Sequence, residues 1–320
     1  MHGVTRGSSS DIPERLAHIM RRDVQARNRF KLHIADILDV QAMTKLLVDT
    51  QPHEFYNLAA QSSVGQSFAR PLETLKVDAI GVLSILELVR TINPKIRVFQ
   101  ASSSEIFGRA HESPQNENTH PYPCSPYAIA KLFSLDAVRV YRESYALHAC
   151  CGILYNHESP RRSGMFVTQK IVQAAVRIRH GLQDVLRLGN LSAARDWGHA
   201  KDVADCIWRI LQADNPADFV VATGESHTVR EFVQLAFSNV GIKIEFQGTG
   251  LAEVGIDVST RKTHIKVDPS LYRPMEPSNT FGDSGKARSL LGWQPEYDFR
   301  QLVREMVLTC ELQFQNTRIF

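Results

Sequence analysis

Residues 97–131, RVFQASSSEIFGRAHESPQNENTHPYPCSPYAIAK, decide the fold class of this chain. The β-branched and aromatic run at 97–103 predicts a strand that leads directly into a cluster of serines. A helical pattern occupies 127–145. In an open α/β sheet, ligands bind beyond the carboxyl ends of the strands, so this segment places polar side chains where chemistry is expected.

The alternation of strands and helices continues on both sides of that segment. Strand patterns lie at 31–36, 54–60, 97–103, 151–156 and 219–223, and helical patterns at 40–50, 72–91, 127–145 and 201–213. This spacing predicts parallel βαβ units in an α/β, Rossmann-like, doubly wound sheet. From residue 156 onward the alternation loosens and Pro and Gly become frequent. We therefore predict a sheet-forming portion at 1–155 and a smaller, loop-rich portion at 156–320, with 199–224 returning to the sheet.

Composition excludes several classes of protein. The 320 residues are 43% hydrophobic and 22% charged, which is typical of a globular chain and excludes disorder, collagen and coiled coil as the main state. No run of about 18 apolar residues predicts a membrane span. The net charge is only +3 and no block of five like charges occurs, so nucleic-acid binding has little support.

The five cysteines are odd in number and show no CxxC spacing. This pattern argues against both a disulfide framework and a zinc site, so we predict no metal. A reduced, cytoplasmic compartment fits such cysteine usage.

Tyr127 and Lys131 are four residues apart and share one face of the predicted helix. A nearby ammonium can lower the pKa of a phenol, so the tyrosine can act as a base. The spacing also arises by chance, and the serines at 102–104 and Glu105 can be read as an ordinary strand-end turn with a solvated carboxylate. Beside a tyrosine base, however, a hydroxyl can share the substrate oxygen, and a carboxylate two residues on can reach an adjacent carbon.

The helix predicted at 127–145 carries apolar residues on more than one face. A helix of this kind is buried on several sides. Two interpretations stay open, namely a core helix packed on the sheet and a helix that also packs against a partner chain.

Several longer motifs resemble the GDP-mannose 4,6-dehydratases, a family of extended short-chain dehydrogenases/reductases. The matching stretches are NLAAQS at 57–62, QASSSEIFG at 100–108, YPCSPYAIAK at 122–131, GILYNHESPRR at 152–162, RDWGHAKD at 195–202 and YRPME at 272–276. The resemblance runs from about residue 1 to residue 293, which is nearly the whole chain. NHESPRR and RDWGHAKD are long enough to be specific.

The resemblance implies a lyase that uses NADP without consuming it. Tyr127 would remove the C4 hydroxyl proton of GDP-mannose, Lys131 would hold the nicotinamide ribose, and Ser103 would hydrogen-bond the same substrate oxygen. Glu105 would remove the C5 proton as water leaves C6. Epimerases that share the fold typically lack this carboxylate, so an epimerase is the weaker enzyme alternative.

The resemblance also implies binding residues. The cofactor contacts would be Tyr127 and Lys131 together with Arg6, Asp36, Ile37, Leu58, Ala59, Ala60, Gln61, Ser62, His157 and Arg162. The substrate contacts would be Ser62, Ser103, Glu105, Asn156, Lys170, Arg195, Arg273 and Glu276. Residues 1–155 would then bind mainly NADP, and residues 156–320 mainly the substrate. Family members form dimers and tetramers, which implies a homodimer through 72–91 and 127–145 or a homotetramer that also uses 6–10.

The pattern is broken in three places. The family begins with a strand and a GxxGxxG turn that binds the pyrophosphate, whereas residues 1–10 already resemble the end of its second strand. Roughly 25–30 residues of a first βα unit are thus expected to be absent. Gln169 replaces a usual basic residue, and Glu73 a usual aromatic one.

The missing unit gives three hypotheses. The chain is a portion of a working enzyme, a short paralogue that serves as the non-catalytic partner of a full-length subunit, or an enzyme with a rearranged sheet and weak activity.

Overall fold

The computed structural model describes residues 1–7, 29–273, 275 and 280–317. They form two compact units. Unit 1 comprises Met1–Ser102, Ser125–Cys151 and Asp214–Ala217, and unit 2 comprises Ser103–Cys124, Gly152–Ala213 and Asp218–Phe320. The predicted division into a sheet-forming, cofactor-binding portion at 1–155 and a substrate-binding portion at 156–320 stays a prediction.

Both units contain β-strands. In chain order they are β1 (His2–Thr5), β2 (Lys31–Ile34), β3 (Glu54–Asn57), β4 (Arg97–Ser103), β5 (Ala149–Leu154), β6 (Asn156–Glu158), β7 (Leu186–Leu188), β8 (Ala194–Arg195), β9 (Trp197–His199), β10 (Asp218–Val221), β11 (His227–Thr228), β12 (Ile244–Gln247), β13 (Val254–Asp257) and β14 (Thr263–Val267).

The helices alternate with these strands. They are α1 (Val40–Thr50), α2 (Val64–Ala69), α3 (Pro71–Leu75), α4 (Gly81–Ile92), α5 (Pro126–Tyr145), α6 (Val167–Arg179), α7 (Ala200–Gln212), α8 (Val229–Asn239), α9 (Gly285–Leu291) and α10 (Phe299–Thr317). Within the described part of the chain, no helix combines the length and the apolar character needed to cross a membrane.

The sheet that carries the site has the strand order β10–β5–β4–β3, and β3 pairs with β4 in parallel. Every residue of β5 is buried, as expected of a strand covered on both faces. β1 and β2 also pair in parallel, but they form a two-stranded sheet of their own among the described residues. The predicted parallel α/β architecture is thus confirmed, and the first two strands stand apart from the others.

The helical run predicted at 72–91 is interrupted in the structure. A π-helical turn, Lys76–Ile80, lies between α3 and α4. Such a turn inserts one extra residue per hydrogen-bonded turn and often occurs at functional sites. Apolar periodicity does not reveal it, because the core-facing residues Val82, Ile85 and Val89 keep regular helical spacing.

The helix predicted at 127–145 begins one residue earlier, at Pro126. The Ser125 hydroxyl accepts a hydrogen bond from the Ala128 N–H, and a proline at the first helical position is compatible with this cap. Leu135 and Val138 are buried, whereas Ile129, Phe133 and Val140 are between 42% and 55% exposed. Only part of the apolar surface of α5 therefore faces the core of its own chain.

Unit 2 is more regular than the loop-rich portion that the sequence predicts. It contains a second four-stranded sheet of order β12–β13–β14–β7, and helices α6, α8 and α10 enclose an apolar core. The buried Asp196 carboxylate accepts hydrogen bonds from the Thr223 N–H and hydroxyl and from the N–H groups of Gly224 and Gly282. One side chain thereby joins three loops of this unit. The strands of the second sheet escaped prediction because they have only three to five residues each and lie among turns.

Candidate active site

The start of α5 places the two residues of the predicted dyad together in unit 1. Tyr127 lies in the first turn and Lys131 one turn later, with the Lys131 Nζ 5.7 Å from the centre of the Tyr127 ring. Both side chains are buried, at 9% and 2% exposure. A buried ammonium beside a phenol favours the phenolate, because the surrounding protein screens the interaction less than water does.

Hydrogen bonds tie Lys131 to the end of β4. Its ammonium donates to the carbonyl oxygen of Ala101 at 2.9 Å, and the Ser102 hydroxyl lies 3.4 Å from the Lys131 carbonyl oxygen, to which it donates. Burial lowers the pKa of Lys131, and the Asp78 carboxylate opposes that shift. The lysine is therefore held rigidly and has a counter-ion nearby.

That counter-ion, Asp78, comes from the π-helical turn and is fully buried. Its Oδ1 atom accepts a hydrogen bond of 2.7 Å from the Gln61 N–H, and the Ser134 hydroxyl donates to its carbonyl oxygen. Burial raises the pKa of Asp78, whereas Lys131, the Gln61 N–H and Arg6 lower it. Its Oδ2 atom has no hydrogen-bond partner among the described residues.

Sequence reasoning missed Asp78. A carboxylate inside the apolar run 77–89 was a usable signal, since a buried charge needs a partner. The partner, Lys131, lies on another helix, and no local pattern connects the two.

The loop that leaves β3 contains five of the twelve expected cofactor contacts, at 58–62. The Asn57 Oδ1 accepts a hydrogen bond from the Ala59 N–H, and the Gln61 side chain donates to the Thr74 hydroxyl and to the Ser63 carbonyl oxygen. These bonds shape the loop while Leu58 remains 60% exposed. The backbone of 58–62 is thus held in one conformation and is partly open to a ligand.

The remaining cofactor candidates of unit 1 lie at the ends of β1 and β2. Arg6 follows β1 and is near enough to Asp78 to influence its pKa. Asp36 follows β2, and its Oδ1 accepts a hydrogen bond from the Leu38 N–H. Ile37 is buried, and a Cβ atom built on Gly81 would lie 3.2 Å from its side chain. Only the backbone of Ile37 is therefore suited to contact a ligand.

Unit 2 contains the predicted serine and carboxylate. Ser103 ends β4, and its hydroxyl accepts a hydrogen bond of 3.3 Å from the Glu105 N–H, which caps a one-turn helix at Ser104–Ile106. The Glu105 Oε1 accepts a hydrogen bond of 3.0 Å from the Arg273 Nη1. Exposure of the two side chains is 16% and 33%. Glu105 is therefore an ion-paired carboxylate rather than a solvated one.

The NHESPRR segment forms a compact buried cluster in the same unit. The His157 Nδ1 lies 2.9 Å from the carbonyl oxygen of Tyr155. The Glu158 Oε2 accepts a hydrogen bond of 2.8 Å from the Thr168 hydroxyl and lies 3.1 Å from the Arg162 Nε. The Arg162 guanidinium stacks 3.4 Å from the centre of the Phe166 ring. Arg162, an expected cofactor contact, is thus positioned by a carboxylate that sequence reasoning did not single out.

Replacing Glu158 by Gln should change how stability depends on pH. Burial raises the pKa of Glu158 to about 7, with Arg162 and Thr168 opposing the shift. Between the ordinary glutamate pKa and 7, the folded state keeps a proton that the unfolded state has lost, so the wild-type free energy of unfolding falls as pH rises. The variant has no proton to lose at this position. Its free energy of unfolding should therefore rise by about 3 kcal/mol relative to that of wild type as pH increases across this window.

Urea unfolding at pH 5 and at pH 7.5 measures this difference. The Glu225→Gln variant is a suitable control because Glu225 is exposed. A constant difference between Glu158→Gln and wild type at the two pH values would contradict the expectation.

The remaining substrate candidates are dispersed over unit 2. Asn156 lies in β6 opposite Trp197 of β9, and Lys170 is exposed on α6. Arg195 is buried, and its Nη1 donates to the carbonyl oxygen of Ala194 at 2.7 Å. Glu276 lies outside the described residues. Gln169, which replaces a basic residue of the family pattern, is buried.

The structure thus defines two groups of side chains, each within its own unit. Unit 1 brings together Tyr127, Lys131, Asp78 and Gln61, and unit 2 brings together Ser103, Glu105 and Arg273. The approach of Glu105 to the Tyr127 hydroxyl stays a prediction. Across the described ranges, no three His, Cys, Asp or Glu side chains are grouped as metal ligands would be.

Two solved structures have a fold similar to that of this chain. RMD of Pseudomonas aeruginosa, solved as a complex with NADPH, superimposes with a TM-score of 0.76 at 22% identity over 97% of this chain and 99% of that one. The dTDP-glucose 4,6-dehydratase of Bacillus anthracis, solved with NAD, gives 0.77 at 18% identity over 98% of each chain. The fold is therefore that of the Rossmann-like epimerases and dehydratases.

Sequence comparison identifies the family within that class. The family model described as GDP-mannose 4,6 dehydratase matches residues 1–306. The GDP-mannose 4,6-dehydratase of Sinorhizobium fredii is 48% identical over 96% of this chain and 88% of its own length, and the human GDP-mannose 4,6 dehydratase is 44% identical over 96% and 83%. The chain belongs to the GDP-mannose 4,6-dehydratase family.

Proposed function

We propose that this chain converts GDP-mannose to GDP-4-keto-6-deoxymannose, with loss of one water molecule. The observation that carries the proposal is the buried pair of Tyr127 and Lys131, tied to the end of β4, in a chain of this family. The curated relatives named above are GDP-mannose 4,6-dehydratases, so the family assignment does not favour an epimerase or a non-catalytic partner subunit.

The cofactor that we propose is NADP. When bound, NADP would supply the hydride acceptor for oxidation at C4 and the hydride donor for reduction at C6. Two features of unit 1 fit such a ligand, namely the open backbone at 58–62 and the buried Asp78 Oδ2, which lacks a donor among the described residues. Arg6 supplies a guanidinium for the 2′-phosphate, which is why we favour NADP over NAD.

Tyr127, Lys131 and Ser103 perform the first half of the proposed reaction. The Tyr127 phenolate accepts the proton of the C4 hydroxyl, and the Lys131 ammonium stabilises the phenolate and hydrogen-bonds the nicotinamide ribose. Ser103 donates a hydrogen bond to the same substrate oxygen. His157 and Arg162 would hold the nicotinamide end of the cofactor, and Asp36 and Ile37 would hold its adenine.

Glu105 performs the second half. The C4 ketone makes the C5 proton acidic, and Glu105 accepts this proton and passes it to the C6 hydroxyl, which departs as water. Tyr127, which was protonated in the first half, then gives its proton to C5, so both side chains end in their starting states. The diphosphate and guanosine are held by Arg273, Arg195, Lys170 and Glu276, and Ser62 and Asn156 contact the sugar.

The test is direct. The purified chain is incubated with GDP-mannose and a catalytic amount of NADP, and the nucleotide sugar is followed by mass spectrometry. We expect the product mass to be lower by one water molecule and the rate with NADP to exceed the rate with NAD. Unchanged GDP-mannose with a chain that binds NADP would refute the assignment.

We further propose that a second copy of this chain covers the exposed apolar residues of α5, which are Ile129, Phe133 and Val140. Phe133→Asp should weaken dimerisation about thirtyfold or more, since a charge replaces a central apolar contact. Sedimentation equilibrium measures the effect, and Leu312→Asp, on the 60% exposed position of α10, is the matched control. Equal dimer stability in both variants would exclude this interface.

Most of the 6–10 segment, expected between dimers in a tetramer, lies outside the described residues.

The cytoplasm is the compartment that we propose. None of the five cysteines, all of which are described, forms a disulfide, and four of them are buried. This usage is typical of proteins in a reducing environment.

A further inference from the structure

Arg273 and Glu105 are brought together from positions 168 residues apart in the sequence. The proposed function gives them separate tasks, since Arg273 holds the diphosphate and Glu105 takes the C5 proton. In the structure the two side chains instead satisfy each other across 3.0 Å. A guanidinium engaged with a carboxylate cannot present the same N–H group to a phosphate. The two tasks are therefore coupled.

Both partners are held in place by the backbone that carries them. Glu105 lies in the one-turn helix Ser104–Ile106, where Ile106 is buried and the Ser103 hydroxyl caps the Glu105 N–H. Arg273 follows a second one-turn helix, Pro269–Leu271, whose start is fixed by a hydrogen bond of 2.7 Å from the Asp268 N–H to the Leu188 carbonyl oxygen.

The segment that carries Arg273 also packs closely on the chain after β7. A Cβ atom built on Gly189 would lie only 2.7 Å from the Leu271 carbonyl oxygen. Glycine is therefore required there for the two backbones to approach. The ion pair thus forms between two anchored segments of unit 2 rather than between mobile surface chains.

We propose that Arg273 is a specificity-determining residue that makes the Glu105 base available only when a nucleoside diphosphate is bound. The substrate diphosphate competes for the Arg273 guanidinium and releases the Glu105 carboxylate, which is then free to accept the C5 proton. The proposal rests on the proposed function. It implies that mannose or mannose 1-phosphate leaves the ion pair intact, because neither offers a diphosphate to the guanidinium.

Partial exposure suits the pair to this exchange. A fully exposed ion pair would contribute too little free energy to discriminate between ligands. A fully buried one would need too much free energy to break. At 16% and 33% exposure, the pair can be opened by a ligand that carries more negative charge than a carboxylate.

Calorimetric titration with GDP tests the inference without turnover. Wild type must break the ion pair to bind GDP, whereas Glu105→Gln leaves the guanidinium unengaged, so this variant should bind GDP about fivefold more tightly. Guanosine, which lacks phosphate, should bind both proteins equally. Asp205→Asn, which removes another half-exposed pair, that of Arg209 with Asp205 at 2.7 Å, should leave GDP affinity unchanged.

The double variant Glu105→Gln/Arg273→Gln distinguishes an exchange of partners at Arg273 from simple repulsion of GDP by Glu105. With Arg273 replaced by Gln, the further change Glu105→Gln should bring no gain, because there is no pair to open. If Glu105→Gln raises the affinity for GDP equally in the wild-type and the Arg273→Gln backgrounds, or raises it in neither, the proposal is overturned. Arg273→Lys, which keeps the charge, provides a second background if Arg273→Gln does not fold, and it should retain a smaller gain.

The two proposals fail in different ways. GDP binding that is unaffected by Glu105→Gln would refute the coupling and leave the dehydratase assignment standing. No GDP binding by any variant that unfolds with a normal cooperative transition would refute both.

Discussion

The Tyr127→Phe variant is expected to lose about 10³-fold in kcat for GDP-mannose conversion while its unfolding transition stays close to that of wild type. The loss corresponds to removing a positioned general base. The fold should tolerate the change because the ring, which lies against Lys131, is kept and only the hydroxyl is removed.

Tyr141→Phe is the matched control for this experiment. Tyr141 lies on the same helix, and its hydroxyl donates to the Glu87 Oε2 at 2.9 Å. Its removal should leave kcat within about twofold, since general acid–base catalysis needs a group within hydrogen-bond reach of the reacting atom. Comparable losses in the two variants would mean that the effect comes from α5 as a structural element, and the assignment of Tyr127 as base would be wrong.

The Glu105→Gln variant should lose product formation by about 10³-fold and, in addition, the exchange of the C5 hydrogen with solvent. Assays in D₂O, read by mass spectrometry, report that exchange directly. Hydrogen transfer from C4 should persist, because Tyr127 and Lys131 are untouched. If Glu105→Gln still forms the product at the wild-type rate, another group removes the C5 proton.

Two further comparisons sharpen this result. Glu112→Gln alters an exposed carboxylate in the same segment and should leave turnover unchanged. If Arg273 exchanges partners as proposed, Glu105→Gln should bind GDP more tightly while its kcat falls. A purely structural role for Glu105 would weaken binding and turnover together.

Much of the fold could be predicted because local patterns determine it. The helix at 40–50 was predicted with the bounds observed for α1, since its apolar spacing is regular and the Asp39 side chain caps it. The parallel sheet followed from strand–helix alternation. The second sheet of unit 2 did not, because its strands are short and lie among turns.

The candidate site was only partly accessible to sequence reasoning. A shared helix face puts Tyr127 beside Lys131, and a four-residue spacing is enough to predict it. The Asp78–Lys131 and Glu105–Arg273 pairs join residues that are far apart in the chain, so no local sequence pattern indicates them. α5 illustrates a different limit, because a pattern shows that a face is apolar but not whether its own chain or another one covers it.

The π-helical turn at Lys76–Ile80 has a consequence for how this region tolerates insertions and deletions. Each residue of a regular helix advances the side chains by about 100° around the axis, so deleting one residue inside α4 would turn Ile85 and Val89 out of the core. The π turn already holds one residue more than an α-helical path requires. Shortening the chain there would leave the phase of α4 intact and change the placement of Asp78 and of its buried neighbours Val77 and Ala79.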